Sequence, residues 1–280
     1  MADKVTNMFR TTLAAASAAL TLALSGPALA AGAGGEVTDV EFSFEGPFGA
    51  YDRFQLQRGF QIYQQVCSGC HGMKYVSFRS LGEPGGPEFP DEQVRAIAAE
   101  YEVVDPNTGE LRPGKPSDKF PANDALGAPD MSLLAKARAG FHGPYGTGIS
   151  QLVNGIGGPE YIYSLLLGYN DKDEEVGSAY LYGNDIYPGG LINMAPPLYG
   201  DDVEYLIYGS DAETADYIPP EPTLEQEAKD VAAFLMWAAE PKLVDRKEAG
   251  IRNFLMLAVL AVLLYYTNKQ IWASVKGKET

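Results

Sequence analysis

The chain has 280 residues, 46% of them hydrophobic, and its 37 acidic and 21 basic side chains give a formal net charge of −16. That sign argues against nucleic acid as a partner, because a phosphate backbone calls for a basic surface. Only two cysteines and two histidines are present, so chemistry that needs thiols or imidazoles has few places to sit.

At the N-terminus Lys4 and Arg10 precede the apolar stretch TTLAAASAALTLALSGPALA, which closes on the small-x-small triplet Ala28-Leu29-Ala30. The pattern predicts a secretory signal over residues 1–30, removed near Ala30. A transmembrane anchor is the alternative, and the Ala, Ser and Gly content and the cleavage triplet count against it. Loss of Asp3, Lys4 and Arg10, together net +1, leaves the mature chain at −17.

Phe60, Tyr63 and Val66 are spaced as one face of a helix that runs into CSGCH, residues 67–71. Both cysteines of the protein lie in that pentapeptide. A Cys-x-x-Cys pair serves as a redox dithiol, as part of a zinc site, as a haem attachment site or as a plain disulfide. A redox dithiol would follow a buried strand and needs no adjacent histidine. Zinc needs four ligands; Cys67, Cys70, His71 and His142 would supply them only with a contiguous Cys-His pair straining the tetrahedron. The haem reading uses every residue: Cys67 and Cys70 form thioethers and His71 reaches the iron.

From Gly82 to Asp130 the sequence is punctuated by Pro and Gly, and only EQVRAIAAEY within it looks helical. DMSLLAKARAGF predicts a helix with Leu133, Leu134 and Ala137 on one face, stopped by Gly140. GPEYIYSLLLGY predicts another, from Pro159 to Gly168. Residues 170–222 read as acidic, tyrosine-rich loop. TLEQEAKDVAAFLMWAAEP gives the clearest helix, with a Thr223–Gln226 capping box, a Val231, Phe234, Leu235, Ala238 stripe and Pro241 at its end. The stripe is assigned to core packing.

A sixth iron ligand would close the metal for electron transfer, whereas an open position would mean gas or peroxide chemistry. Met1 and Met8 leave with the signal, Met256 lies in an apolar run, Met236 belongs to the last packed helix, and Met73 is too close to His71 to cross the macrocycle. Met194, His142 and Met131 remain. Met194 stands in GGLINMAPPLYG, where Gly189 and Gly190 permit a sharp approach and Pro196-Pro197 stiffen the backbone beyond it.

The thirteen residues Phe254–Tyr266 are uninterrupted and apolar, and Ile251–Trp272 makes 22 with charges only near the ends. Thirteen helical residues rise about 20 Å, short of a roughly 30 Å hydrocarbon core; twenty-two suffice. Residues 249–272 are therefore expected to span a membrane, with Arg252 and Lys269 snorkelling and Tyr265, Tyr266 and Trp272 at the interfaces. The expected organisation is signal 1–30, exported domain 31–248, span 249–272 and cytoplasmic tail 273–280. The fold class is mainly α: a c-type cytochrome domain with long irregular loops plus one C-terminal transmembrane helix.

VCSGCHGMKYVSFRSL, AKARAG, GGPEYIYSLLLGY, NMAPPL and AKDVAAFLMWAAEPKL, in that order and before a single span, closely resemble the cytochrome c1 family, the haem subunit of the cytochrome bc1 complex. The resemblance covers about Glu41 to Lys276. It implies one covalently attached haem c on Cys67 and Cys70, with His71 proximal and Met194 distal. It also implies Arg138 near a haem propionate and Tyr161 in the pocket. The implied localisation is a bacterial inner membrane, crossed once, with the haem domain in the periplasm. Some bacterial members carry a disulfide in the region before the methionine ligand; this chain has no cysteine for one, so its 170–193 segment must be held otherwise.

The resemblance implies an electron relay within quinol–cytochrome c reductase, with no bond-making site of its own. Its implied partners are cytochrome b, a Rieske iron–sulfur subunit, membrane lipid and a soluble basic cytochrome c. The acids Asp171-Asp173-Glu174-Glu175, Asp201-Asp202-Glu204 and Asp211-Glu213-Asp216 suit steering of such a cytochrome. Their plain alternative is a solvated face. Two other functions are a free-standing membrane-anchored cytochrome feeding an oxidase or reaction centre, and a haem enzyme such as a peroxidase with open iron.

Overall fold

A computed structural model describes residues 35–123, 127–138, 155–205 and 217–276. The expected signal over 1–30, Gly140, His142 and the acids Asp211, Glu213 and Asp216 lie outside the described residues.

Helix α1 (Arg53–Gln65) starts where the Asp52 carboxylate accepts from the Gln55 amide at 2.7 Å, satisfying one of the amides a helix start leaves free. Its partner is the helix nearest the C-terminal span, and several shorter elements lie between the two in sequence. These are α2 (Asp91–Ala99), the hairpin β1 (Glu102–Val104) with β2 (Leu111–Pro113), and the short α3 (Leu134–Ala137). Next come α4 (Gly158–Leu167), a sheet, and α5 (Leu224–Ala239). Helices α1, α3 and α4 all pack on α5.

The α1–α5 contact is set by one glycine. A Cβ on Gly59 would lie 2.1 Å from the Asp230 carbonyl oxygen and 2.6 Å from Phe234 Cβ, so only glycine lets the two backbones meet there. Around that crossing Phe60 stands edge-on to Phe89, Phe120 and Phe234. Leu56, Ile62, Tyr63, Val231, Phe234, Leu235 and Ala238 are buried, so the stripe on α5 is core.

An ion pair is buried in the same interface. Asp230 accepts from Arg58 Nε at 2.6 Å and from Arg58 Nη2 at 2.9 Å, with Gln55 and Gln226 amides on the same carboxylate. The Gln226 side chain thus serves Asp230 instead of reaching back to close the expected capping box; only the Thr223 hydroxyl, accepting from the Gln226 amide, keeps that motif's geometry. Breaking one side of a buried pair leaves a charge in low dielectric. Asp230→Ala is expected to cost about 3–5 kcal/mol, read as a lowered denaturant midpoint of the detergent-solubilised protein. A loss under about 1 kcal/mol would place the pair at the level of a surface salt bridge.

Two expectations are corrected. The helix over DMSLLAKARAGF is shorter and turned. Asp130 caps a 3-10 turn, Met131–Leu133, and α3 ends at Ala137, with Arg138 already extended (φ −114°, ψ 108°). Met131, Ser132 and Ala135 face the core, while Leu133 and Ala137 are exposed. The second concerns 170–193, expected as loop: it holds a three-stranded antiparallel sheet, β3 (Tyr169–Val176), β4 (Ala179–Asn184) and β5 (Leu191–Ile192), in that order. Val176 pairs with Ala179 across Gly177-Ser178, and Gly177 has φ +68°, the left-handed first position of a two-residue hairpin turn. Asp173 accepts from the Tyr180 hydroxyl and the Gly183 amide, both at 2.9 Å. These bonds across the hairpin hold the segment for which no disulfide is available.

Helix α6 (Leu243–Lys276) is 34 residues long. Within Leu243–Ala273 an 18-residue window reaches a mean hydropathy of 1.7, and that window is uncovered by the rest of the protein. Phe254, Leu257, Leu263 and Leu264 are all more than half exposed. An uncovered apolar helix of that length is the C-terminal transmembrane helix expected from the sequence. Its first residue, Leu243, is buried, so the helix begins inside the folded domain, ahead of the expected span at 249.

Candidate functional site

The last turn of α1 leads directly into the 3-10 turn Cys67–Gly69. The Cys70 and His71 amides both donate to the Cys67 carbonyl, at 3.1 and 2.9 Å, so the chain winds tightly enough to bring all three functional side chains onto one turn. Asn123 clamps it by donating to the Gly69 carbonyl at 2.9 Å, and the Tyr63 hydroxyl donates to the His71 carbonyl at 3.1 Å. Both thiols are unpaired, and Cys70 is exposed.

His71 is 8% exposed, and its Nδ1 lies 2.8 Å from the Pro129 carbonyl oxygen. A carbonyl only accepts, so Nδ1 carries a proton, and in the neutral imidazole Nε2 is then the nitrogen with the lone pair. That is how a metal-binding imidazole is oriented by its surroundings. Burial, then the neighbouring Cys70, pushes the Cys67 thiol up to about 12. A redox-active Cys-x-x-Cys lowers its thiol instead, so the shift at Cys67 runs opposite to the one a thiolate nucleophile needs. Among the described residues no three His, Cys, Asp or Glu side chains gather as a metal cluster. Two unpaired thiols and one pre-oriented imidazole suit thioether attachment of a haem, because a thioether carries no charge to desolvate.

Met131 belongs to the segment behind the imidazole. Its amide donates to the Gly72 carbonyl at 2.8 Å, two residues past the Pro129 oxygen that binds Nδ1, and its side chain is in the core. Met73 and Met236 are buried there too. Met194 is half-buried just past β5. Its carbonyl accepts from the Tyr169 hydroxyl at 3.0 Å, and burial raises that phenol above its ordinary range, so it stays a donor. Gly189 and Gly190 have φ +90° and +78°, the left-handed turn that brings β5 back beside β4.

Gly158 brings α4 against the end of α3: a Cβ there would fall 1.6 Å from the Ala135 carbonyl oxygen and 2.5 Å from that of Arg138. Arg138 is exposed and Tyr161 half-buried. Burial raises the Tyr161 phenol and the Arg138 charge opposes that rise, which puts the guanidinium within electrostatic reach of the ring. Beside Tyr161 in sequence, Glu160 is buried, and that burial raises its carboxyl well above the ordinary range.

Pro129, Asn123, Tyr63 and Tyr169 are the site residues that sequence reasoning missed. Pro129 acts through its main-chain carbonyl, and no side-chain pattern reports which carbonyl an imidazole will meet. Tyr169 is a tyrosine at a helix exit, 25 residues from Met194 in sequence, and only the β3–β5 sheet makes the two neighbours.

These features define a mainly helical, loop-rich domain with a Cys-x-x-Cys-His turn and one C-terminal membrane helix. A profile of the Cytochrome C1 family matches residues 42–275. A cytochrome c1 of Cereibacter sphaeroides is 52% identical, over 94% of this chain and 96% of that protein. One from Rhodobacter capsulatus is 45% identical over 89% and 93%. A cytochrome b/c1 of Bradyrhizobium diazoefficiens is 39% identical over 83% of this chain and 35% of that longer protein. The chain belongs to the cytochrome c1 family.

Proposed function

We propose that this protein is the haem subunit of a quinol–cytochrome c reductase, passing electrons from a Rieske iron–sulfur protein to a soluble basic cytochrome c. The observation that carries the reading is the imidazole fixed by Pro129, directly after two unpaired thiols, in a member of the cytochrome c1 family. A c-type haem, when bound, supplies a one-electron iron couple. Cys67 and Cys70 would hold it covalently, His71 Nε2 and the Met194 sulfur would bind the iron, Arg138 would lie near a propionate and Tyr161 would line the pocket. Neither a base nor a nucleophile is needed, because no substrate bond is made.

Association with cytochrome b is inferred from family membership, and the relative whose name joins b and c1 in one chain supports it. In our reading residues 1–30 are a cleaved signal, 31–248 the periplasmic domain, 249–272 the single span of a bacterial inner membrane and 273–280 the cytoplasmic tail. The full chain purified in mild detergent is expected to bring cytochrome b and an iron–sulfur subunit with it, and its haem should reduce when quinol is added. A haem protein that purifies alone and ignores quinol would mean a free-standing cytochrome. Attachment has its own readout: Cys67→Ser with Cys70→Ser is expected to abolish haem staining on a denaturing gel, and either single change should leave one thioether. A fully stained double variant overturns the covalent assignment.

A further inference from the structure

Outside the haem site, the most pronounced surface feature tied to the base of the membrane helix is an aromatic loop. Residues 43–50 close on themselves, with the Ala50 amide donating to the Ser43 carbonyl at 3.0 Å. At the base Phe42 stacks on Phe44, and Phe44 meets Tyr51, each pair 5.0 Å between ring centres. Gly49 tightens the loop, since a Cβ there would lie 1.9 Å from the Glu45 carbonyl oxygen. At the tip Phe48 is 83% exposed. A rigid loop that buries two phenylalanines and offers a third to solvent has an apolar contact left unmade.

Its position says what makes that contact. Lys247, on the second turn of α6, donates from Nζ to the Phe44 carbonyl at 2.6 Å and to the Gly49 carbonyl at 3.2 Å. The Tyr51 hydroxyl donates to the Glu240 carbonyl at 3.2 Å, just before α6 begins. The loop is thus pinned to the emerging helix on both sides of Phe48. From Lys247 to Ile251, the first residue of the 22-residue span with Arg252 snorkelling, the helix rises about 6 Å. The headgroup layer beside a roughly 30 Å hydrocarbon core is about 5–8 Å deep. Lys247 therefore stands at headgroup depth and holds the loop there, with the exposed Lys242 and Arg246 nearby on the same helix base.

We propose that Phe48 inserts into the membrane interface on the domain side, a second lipid contact that fixes the tilt of the domain against the bilayer. The proposal rests on α6 spanning the membrane. An aromatic ring suits the boundary between headgroups and acyl chains. The stacked base and the two Lys247 bonds order the tip beforehand, so little conformational entropy is lost on insertion.

The test uses the full-length haem protein in phospholipid nanodiscs. A spin label is placed at Phe48→Cys and, in a separate variant, at Phe254→Cys, and collision with oxygen is compared with collision with a water-soluble nickel chelate. The expected result is oxygen-dominated relaxation at both positions, with the Phe48 label shallower than the Phe254 label. A Phe254 label in lipid with a chelate-dominated Phe48 label overturns the proposal alone. A Phe48 label shielded from both reagents overturns it in favour of a protein contact. A chelate-dominated Phe254 label overturns the span and this proposal with it.

Discussion

Met194→Leu is expected to drop the reduction potential by a few tenths of a volt, within the roughly 0.8 V that axial ligands command, or to let carbon monoxide bind. A thioether is a soft ligand that favours the reduced iron, and leucine has the bulk of methionine without the sulfur. The backbone around position 194 should survive the change. The carbonyl that accepts from Tyr169 belongs to the main chain, and the left-handed Gly189 and Gly190 are untouched. A changed potential with a normal melting temperature would therefore report ligation and not unfolding. Redox titration with and without carbon monoxide reads both. An unchanged potential that carbon monoxide does not disturb would move the assignment to His142, because Met131 sits behind the imidazole with the Pro129 segment.

The parts of this site that the sequence disclosed are those written in side chains. CSGCH marked the turn that carries both thiols and the oriented imidazole, and the spacing of Phe60 and Tyr63 and of Val231, Phe234 and Leu235 marked two buried helix faces. What stayed hidden is main chain or long range. The Pro129 carbonyl that sets the tautomer of His71 is 58 residues away and silent in composition. The β3–β5 sheet escaped because residues 171–176 are exposed on both faces, so no alternation of polar and apolar residues exists to betray a strand. The face of DMSLLAKARAGF was misjudged because Leu133, in the 3-10 turn before α3, looks like core and is exposed. Ser132 is buried in its stead, and its hydroxyl accepts a hydrogen bond from the Tyr75 amide.

That same hairpin recasts the acidic clusters. Asp173 holds β3 to β4 through Tyr180 and Gly183. Asp202 accepts from the Tyr199 and Gly200 amides, and its own amide donates to Glu227. These two are structural acids. Asp171, Glu174 and Glu175 are exposed on β3 and make none of those bonds.

Changing Asp171, Glu174 and Glu175 to their amides, with Asp173 kept, is therefore expected to flatten the salt dependence of electron transfer to a basic cytochrome and to leave the fold alone. For the parent protein the association rate should fall at least tenfold between 0.01 and 0.1 M salt, because the Debye length shrinks from about 30 Å to about 10 Å and electrostatic steering contributes about 10- to 1000-fold. Electron entry from an iron–sulfur subunit held in the same complex involves no free encounter and should respond far less. Stopped-flow oxidation across a salt series separates the two steps, since only the bimolecular one scales with cytochrome concentration. If the triple variant keeps the full salt slope, the hairpin acids do not face the partner. If the parent shows no slope, steering by opposite charge has no part in the encounter, and the net charge of −16 serves solubility alone.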